Sequence, residues 1–328
     1  IQFEKGPNNR IFMRVVSLIS RADSTQTIAK AVKNSYLDPI VAAFEVKAYG
    51  KDSSSSIIDV TDFFKGDNQA VSLSSFEKRN FNLSGLASDR SYIETIKSYP
   101  INIEVRTVKT YNASSPMPGS PAGGSFIPAA ANAGAVTFEL NTSILLLPKT
   151  PMGRRLFDSR VGYFADNFVE YSDDQQKVKN QVFAVRYRLE PKPQDLEKYK
   201  RGELVEPMKP IVYYVDPATP KKWVPYLIAG VNDWNIAFEK AGWKNAIVGK
   251  EWPNDSTMSL EDARFSVIRY FASDIENAYG PQVHDPRSGE ILESHVGWYH
   301  NVMSLVHDWY MVQTAAVDPA ARKMHFDD

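Results

Sequence analysis

Residues 211–247 read IVYYVDPATPKKWVPYLIAGVNDWNIAFEKAGWKNAI, and this stretch decides the fold class. Ile211 to Val215 is a short run of β-branched and aromatic residues between Pro210 and Asp216-Pro217, the pattern of a buried strand. After the turn, Val224, Leu227, Ile228, Val231, Trp234 and Phe238 recur in steps of three or four. They share one face of a helix over about Lys221 to Ala241. Pro220 and Pro225 fit only near its first turn, and Gly242 stands where a left-handed C-cap is expected. A strand feeding straight into an amphipathic helix predicts an α/β layer.

The flanks extend this layer. Ala246 to Val248 reads as a second strand, and Phe265 to Phe271, apolar on both faces, as a central one. YGPQVHDPRSGEILESHVGWY, from Tyr279 to Tyr299, predicts a hairpin whose turn is Asp285 to Gly289. Val302, Leu305, Val306 and Trp309 mark a helix over about Asn301 to Thr314, after which no element is completed.

Upstream, residues 1–190 read as β. Phe44, Val46 and Ala48 alternate with Glu45, Lys47 and Tyr49. Ile101, Ile103 and Val105 alternate with Asn102, Glu104 and Arg106, as do Val136, Phe138 and Leu140 with Thr137, Glu139 and Asn141. Phe183, Val185, Tyr187 and Leu189 form one face of a last strand. PMPGSPAGGSFIPAAANAGA, residues 116–135, predicts a mobile surface loop. PKPQDLEKYKRGELVEPMK, residues 191–209, reads as a linker with room for a short helix around Leu196 to Lys200. The expectation is an α+β chain. An antiparallel β-rich domain covers 1–190, with a break near residue 65 as an option. A linker covers 191–209, and an α/β subdomain covers 210–328.

Composition excludes several functions. The 38 Lys and Arg nearly cancel the 39 Asp and Glu, so no global field points to nucleic acid. With no cysteine there is no disulfide, thiolate zinc site or cysteine nucleophile. No apolar run is long enough to span a bilayer. The opening IQFEKGPNNR lacks an initiator Met and an apolar leader, which suggests a piece of a longer protein whose targeting signal lies elsewhere.

The candidate chemistry is sparse. The five histidines are His284, His295, His300, His307 and His325, and none has the spacing of a zinc helix. His300 and His307 could share a helical face, where a solvated or core-edge stripe is the plainer reading; His284 and His295 could meet across the hairpin, a pairing that by itself carries little weight. No phosphate-binding glycine loop and no nucleophile elbow is present. PMGRRLFDSRVGYF, residues 151–164, is the most unusual string. It reads either as a salt-bridge cluster anchoring a crossing loop or as a segment that docks on the second domain.

Taken in order, LPKTPMGRRLFDSRVGYF, VRYRLEP, KPIVYYVDPATPKKWVPYLIAGVNDWNIAFEKAGW, FSVIRYFASDIENAYGPQVHDPRSGEIL and NVMSLVHDWY resemble the bacterial zinc metallopeptidases of the Met-zincin group. The resemblance covers about Leu147 to Ala321. It implies a metzincin-like twisted sheet backed by a first long helix. One edge strand would bind peptide by strand addition, with Tyr279, Gly280 and Pro281 closest to the cleft. The family's zinc helix and its general-base Glu are expected after the Asn301 to Thr314 helix and have no counterpart here. No catalytic or metal-binding residue is therefore assigned. Zinc belongs to the parent protein, and this piece is expected to be inactive. Asp158 could block the zinc of an intact precursor.

The resemblance thus implies the N-terminal portion of a secreted, periplasmic or cell-surface zinc endopeptidase acting on peptides or proteins. The alternatives are a β-rich binding or inhibitory module, with Tyr163, Phe164 and Tyr171 as an exposed patch, or a degenerate relative without activity. A missing zinc helix would leave the apolar strand Phe265 to Phe271 uncovered. Self-association through that sheet face, or cover by the tail, is then expected.

Overall fold

The computed structural model describes residues 1–52, 54–113 and 133–323; nearly all of the proline- and glycine-rich stretch and His325 lie outside the described residues. The chain is mixed α+β, with many strands in antiparallel and mixed sheets and few helices. It divides into two compact units. One comprises residues 1–146 and 167–181, the other residues 147–166 and 182–328. This is not the division drawn from the sequence at 190. Residues 182–190 find their backbone partners in the second unit: Ala184 N donates to Arg155 O at 2.8 Å and Arg186 N to Gly289 O at 2.8 Å.

In the first unit, β1 (Gln2–Gly6), β2 (Arg10–Arg14), β4 (Ile40–Tyr49) and β5 (Ser56–Ile58) form an antiparallel sheet in the order β1-β2-β4-β5. Phe44 and Val46 point inward, as their alternation predicts. β3 (Ser20–Ala22) runs parallel to the later strand β10 (Ala165–Tyr171). Helices α1 (Ile28–Ser35), α2 (Thr61–Lys65) and α3 (Ser75–Asn80) interrupt the strands. The last is closed by a Ser74/Glu77 capping box, an S-x-x-E signature legible in the sequence.

The second sheet of this unit is built around β8 (Asn102–Ala113). β9 (Ala135–Leu145) lies along one side, and β6 (Leu83–Leu86) and β7 (Tyr92–Ser98) along the other. Here the sequence expectation is corrected. Ile103 is exposed while Asn102 and Glu104 are buried. Glu104 accepts from Asn141 Nδ2 and Ser143 Oγ, both at 2.6 Å, and from Asn102, so its burial is compensated by hydrogen bonds. Lys109 is buried on the same strand. Its Nζ donates to Gly66 O, Val71 O and Ser72 Oγ at 2.7, 2.9 and 2.7 Å and so holds the 66–72 loop.

β11 (Lys179–Ala184) ends earlier than the strand expected through Leu189. The residues beyond it form only an isolated parallel bridge, Arg186 with Glu290. The supposed linker is not a linker. It contains α4 (Leu196–Lys200), and Val205 is buried with Trp243 and Ala246 in a core cluster of the second unit. Backbone bonds Val205 N to Gly242 O and Lys244 N to Val205 O fix it there.

The sheet of the second unit is mostly parallel. β12 (Ile211–Val215), β13 (Ile247–Glu251), β14 (Ser266–Phe271) and β17 (Glu290–Tyr299) run parallel in the order β13-β12-β14-β17. Two short strands, β15 (Ala278–Tyr279) and β16 (Gln282–Asp285), pair antiparallel with β17. The expected long helix is two helices, α5 (Val224–Asp233) and α6 (Asn235–Lys240), meeting at Trp234. Gly242 has φ +93°, the left-handed value expected after the helix. The helix approaches β13 closely: a Cβ on Gly249 would lie 2.9 Å from Ile228 O. The hairpin turn is present, and Gly289 has φ +76° with a would-be Cβ 2.4 Å from Ala184 O.

The expected exposure of Phe265 to Phe271 is not found. Every residue of that strand is buried or half-buried. Phe265 packs against Tyr214 and Trp252, and Phe271 against Tyr279 and Tyr299. These aromatic neighbours from the same unit supply the cover. Helix α7 (Val302–Trp309) follows, then a short π-helical turn and a last 3-10 turn, Pro319–Lys323.

Candidate peptide-binding edge and cleft

The two edges of the parallel sheet differ. At β13, helix side chains satisfy the outward backbone groups. Gly249 N donates to Asn232 Oδ1 at 3.0 Å, Ile247 N to Asn235 Oδ1 at 3.3 Å, and Asn235 Nδ2 donates to Ile247 O at 2.8 Å. At the other edge, β15 ends the strand order; Ala278 N donates to Asn277 Oδ1 at 2.8 Å, and no helix side chain bonds β15 among the described residues. An uncovered edge presents unpaired N–H and C=O groups to any extended chain.

Three residues of this edge were singled out from the sequence. Tyr279 is 46 % exposed, yet its ring is fixed. It stacks on Phe271 with centroids 6.4 Å apart and leans on Tyr299 at 5.7 Å. Burial and the neighbouring Tyr299 push its hydroxyl pKa upward. Gly280 is exposed, and a Cβ there would meet nothing within 4 Å. Pro281 has no N–H to offer, and its carbonyl accepts from Ser294 Oγ at 2.8 Å. Tyr279 and Gly280 are thus exposed at the end of this edge, while Pro281 anchors the break between β15 and β16.

Asp158 lies on the 147–166 segment of the second unit. Its carboxylate accepts from Arg160 N, Nε and Nη2 at 3.0, 3.0 and 2.6 Å, and this guanidinium holds its pKa below the usual range. The same Asp-x-Arg turn recurs at Asp262/Arg264 and Asp285/Arg287. The loop around Asp158 is anchored by arginines bonded to backbone carbonyls. Arg287 reaches Pro148 O, Arg188 reaches Thr150 O and Arg186 reaches Gly153 O, at 2.6, 3.3 and 3.1 Å.

The described histidines are not brought together. His284 Nε2 pairs with Asp166 at 2.8 Å, His295 with Glu293 at 3.0 Å, and His300 with Tyr270 at 2.6 Å. His284 faces Ile291 across the hairpin, not His295, and His300 precedes the helix that carries His307. Among the described residues no group of three or more His, Asp or Glu could hold a metal ion. These residues therefore do not fit a zinc site. No described helix is long and apolar enough to cross a membrane.

Sequence reasoning missed a cleft of about 1060 Å³ in the second unit. Tyr163 and Phe164 of the unusual string line it, together with Trp234, Phe238 and Trp243. Tyr171, the third aromatic of the proposed patch, belongs instead to the first unit, where its hydroxyl bonds Tyr36. Aromatic and cationic clustering in 151–164 was the available signal; its partners 80 residues on were not legible.

The family described as "Domain of unknown function (DUF5117)" matches residues 1–192. The chain belongs to this DUF5117 family. No curated protein and no solved structure matches it. The DUF5117 match ends at 192, so it takes in the first unit and the Asp158 loop but neither the parallel sheet nor its open edge.

Proposed function

We propose that the second unit is the peptide-docking sheet of a zinc-dependent metallopeptidase of the Met-zincin group. In this reading, residues 1–328 alone do not hydrolyse peptides, and the metal ligands are supplied by a longer parent outside the cytoplasm. An extended substrate adds as a further strand along Tyr279 and Gly280. The observation that supports this is the asymmetry of the sheet. The β13 edge is capped by Asn232 and Asn235 from the helices, whereas no helix side chain bonds β15 among the described residues and Tyr279 is held by its stacked ring. The mostly parallel sheet with the Val224–Asp233 helix beside it also supports the reading. No step of the reaction is assigned to a described residue.

The test is a zinc-content and casein-cleavage assay on the parent beside residues 1–328. Zinc and cleavage in the parent, with neither in the shorter chain, are expected. A parent that holds no zinc and leaves casein intact refutes the reading.

A further inference from the structure

The cleft lined by Tyr163, Phe164 and Trp234 carries charge of one sign only. Arg155 and Arg186 line it, and among the described residues no Asp or Glu does. The Arg155 side chain makes no hydrogen bond or ion pair among the described residues. Arg186 donates its two Nη atoms to neutral carbonyls, Gly153 O at 3.1 Å and Tyr187 O at 3.5 Å. Its Nε is shielded from solvent and has no acceptor. Burial, then the like charge of Arg155, pushes the Arg186 pKa down, while Glu190 and Glu290 act on it only from beyond ion-pair distance. Two arginines that line one space, neither of them in an ion pair among the described residues, are complementary to an anion, and a guanidinium's planar fork matches a carboxylate.

The rest of the lining sets what the anion is attached to. Phe164 is 74 %, Trp234 63 % and Tyr163 49 % exposed, so much aromatic surface awaits cover. The neutral polar groups of the lining sit mostly on aromatic rings: Tyr163, Tyr187, Tyr199, Trp234 and Trp243, with Gln282 the one carboxamide among the described residues. Ring faces stack on a flat aromatic body, and an anionic end on that body meets the arginines.

We propose that this cleft binds a carboxylate carried on an aromatic group, from either a free aromatic acid or the C-terminal residue of a peptide. The site is separate from the β15 edge and does not depend on zinc or on cleavage.

The test is calorimetric titration of residues 1–328 with N-acetyl-tryptophan, its amide, a short Trp-terminated peptide, and that peptide amidated. The acids should bind about tenfold or more tightly than the matching amides, the worth of one charge-assisted contact. Arg155→Met should remove that preference and Arg155→Lys should restore part of it. Arg155 is exposed and its side chain bonds nothing else, so the variant should keep the parent circular dichroism. A peptide acid that binds more tightly than N-acetyl-tryptophan assigns the source to a chain terminus, and equal affinities assign it to a free acid. Acids and amides of equal affinity overturn the proposal, as does an unchanged Arg155→Met. ATP binding where neither acid binds overturns it too.

Discussion

The ring of Tyr279 lies against the α-carbon of Gly297 on the neighbouring strand. A Cβ built at Gly297 would sit 2.1 Å from Tyr279 Cε1. The open edge of the sheet is thus positioned by a residue with no side chain, paired directly opposite in the register. Gly297→Ala should push the tyrosine off its Phe271 and Tyr299 neighbours. The expected cost is about 1–3 kcal/mol in denaturant unfolding, as for overpacking elsewhere. Binding of extended peptides should weaken with it, whereas Gly280→Ala, at an open position, should leave stability within about 0.5 kcal/mol.

Lys109 is 0 % exposed, and burial lowers its pKa to about 8. Lys109→Met takes the donor from the Val71 carbonyl and one of two donors from Gly66 O, and should cost about 2–4 kcal/mol. The pH dependence has a definite sign. Between pH of about 8 and 10 the folded state has released this proton and the unfolded chain, with a lysine pKa of about 10.4, has not. Stability of the wild type should therefore rise with pH there, by up to about 1 kcal/mol per unit, and the rise should vanish in Lys109→Met. Tyr111 acts oppositely and higher. Burial raises its pKa to about 12, so its contribution falls only above the unfolded tyrosine value of about 10. Urea midpoints across this range separate the two.

Asp285 is fully buried at the hairpin turn. Burial opposes its charge, but the Arg287 guanidinium and amide outweigh it and leave the carboxyl below its ordinary range. Its stabilisation is present above the unfolded value of about 3.9 and is lost as pH falls through the folded one. Asp285→Asn should destabilise by about 2–4 kcal/mol at neutral pH and flatten the acid limb of the stability profile.

Val205 tests the reassigned linker. It is 3 % exposed among Trp243 and Ala246. Val205→Ala should cost about 1–3 kcal/mol, whereas a residue on a solvated tether would cost almost nothing. Chemical denaturation of the two proteins decides.

The second unit was legible where local chemistry dictates local structure. Ile211 to Val215, the Gly242 cap and the Asp285 to Gly289 turn are each fixed by neighbours a few residues away. What escaped depends on distant partners. Lys109 reads as the polar side of a strand until the 66–72 loop provides three acceptors, and Val205 reads as tether until Trp243 folds back on it. The break at Trp234 was hidden because the apolar period runs straight through it. Of the candidate site, Tyr279, Gly280 and Pro281 stand at β15 and the break after it, whereas the cleft was not legible, because Arg155 and Trp234 share no local pattern.

Residues 182–192 fall inside the DUF5117 match, yet they fold with the second unit. Phe183 and Val185, both buried, take neighbours such as Gly289 and Phe164 from that unit. The family's boundary and the folding unit's boundary therefore do not coincide. A gene fragment stopped at 192 would keep Leu156 and Phe164 but strip Gly289 from beside Phe183 and Ala184, leaving part of that packing open.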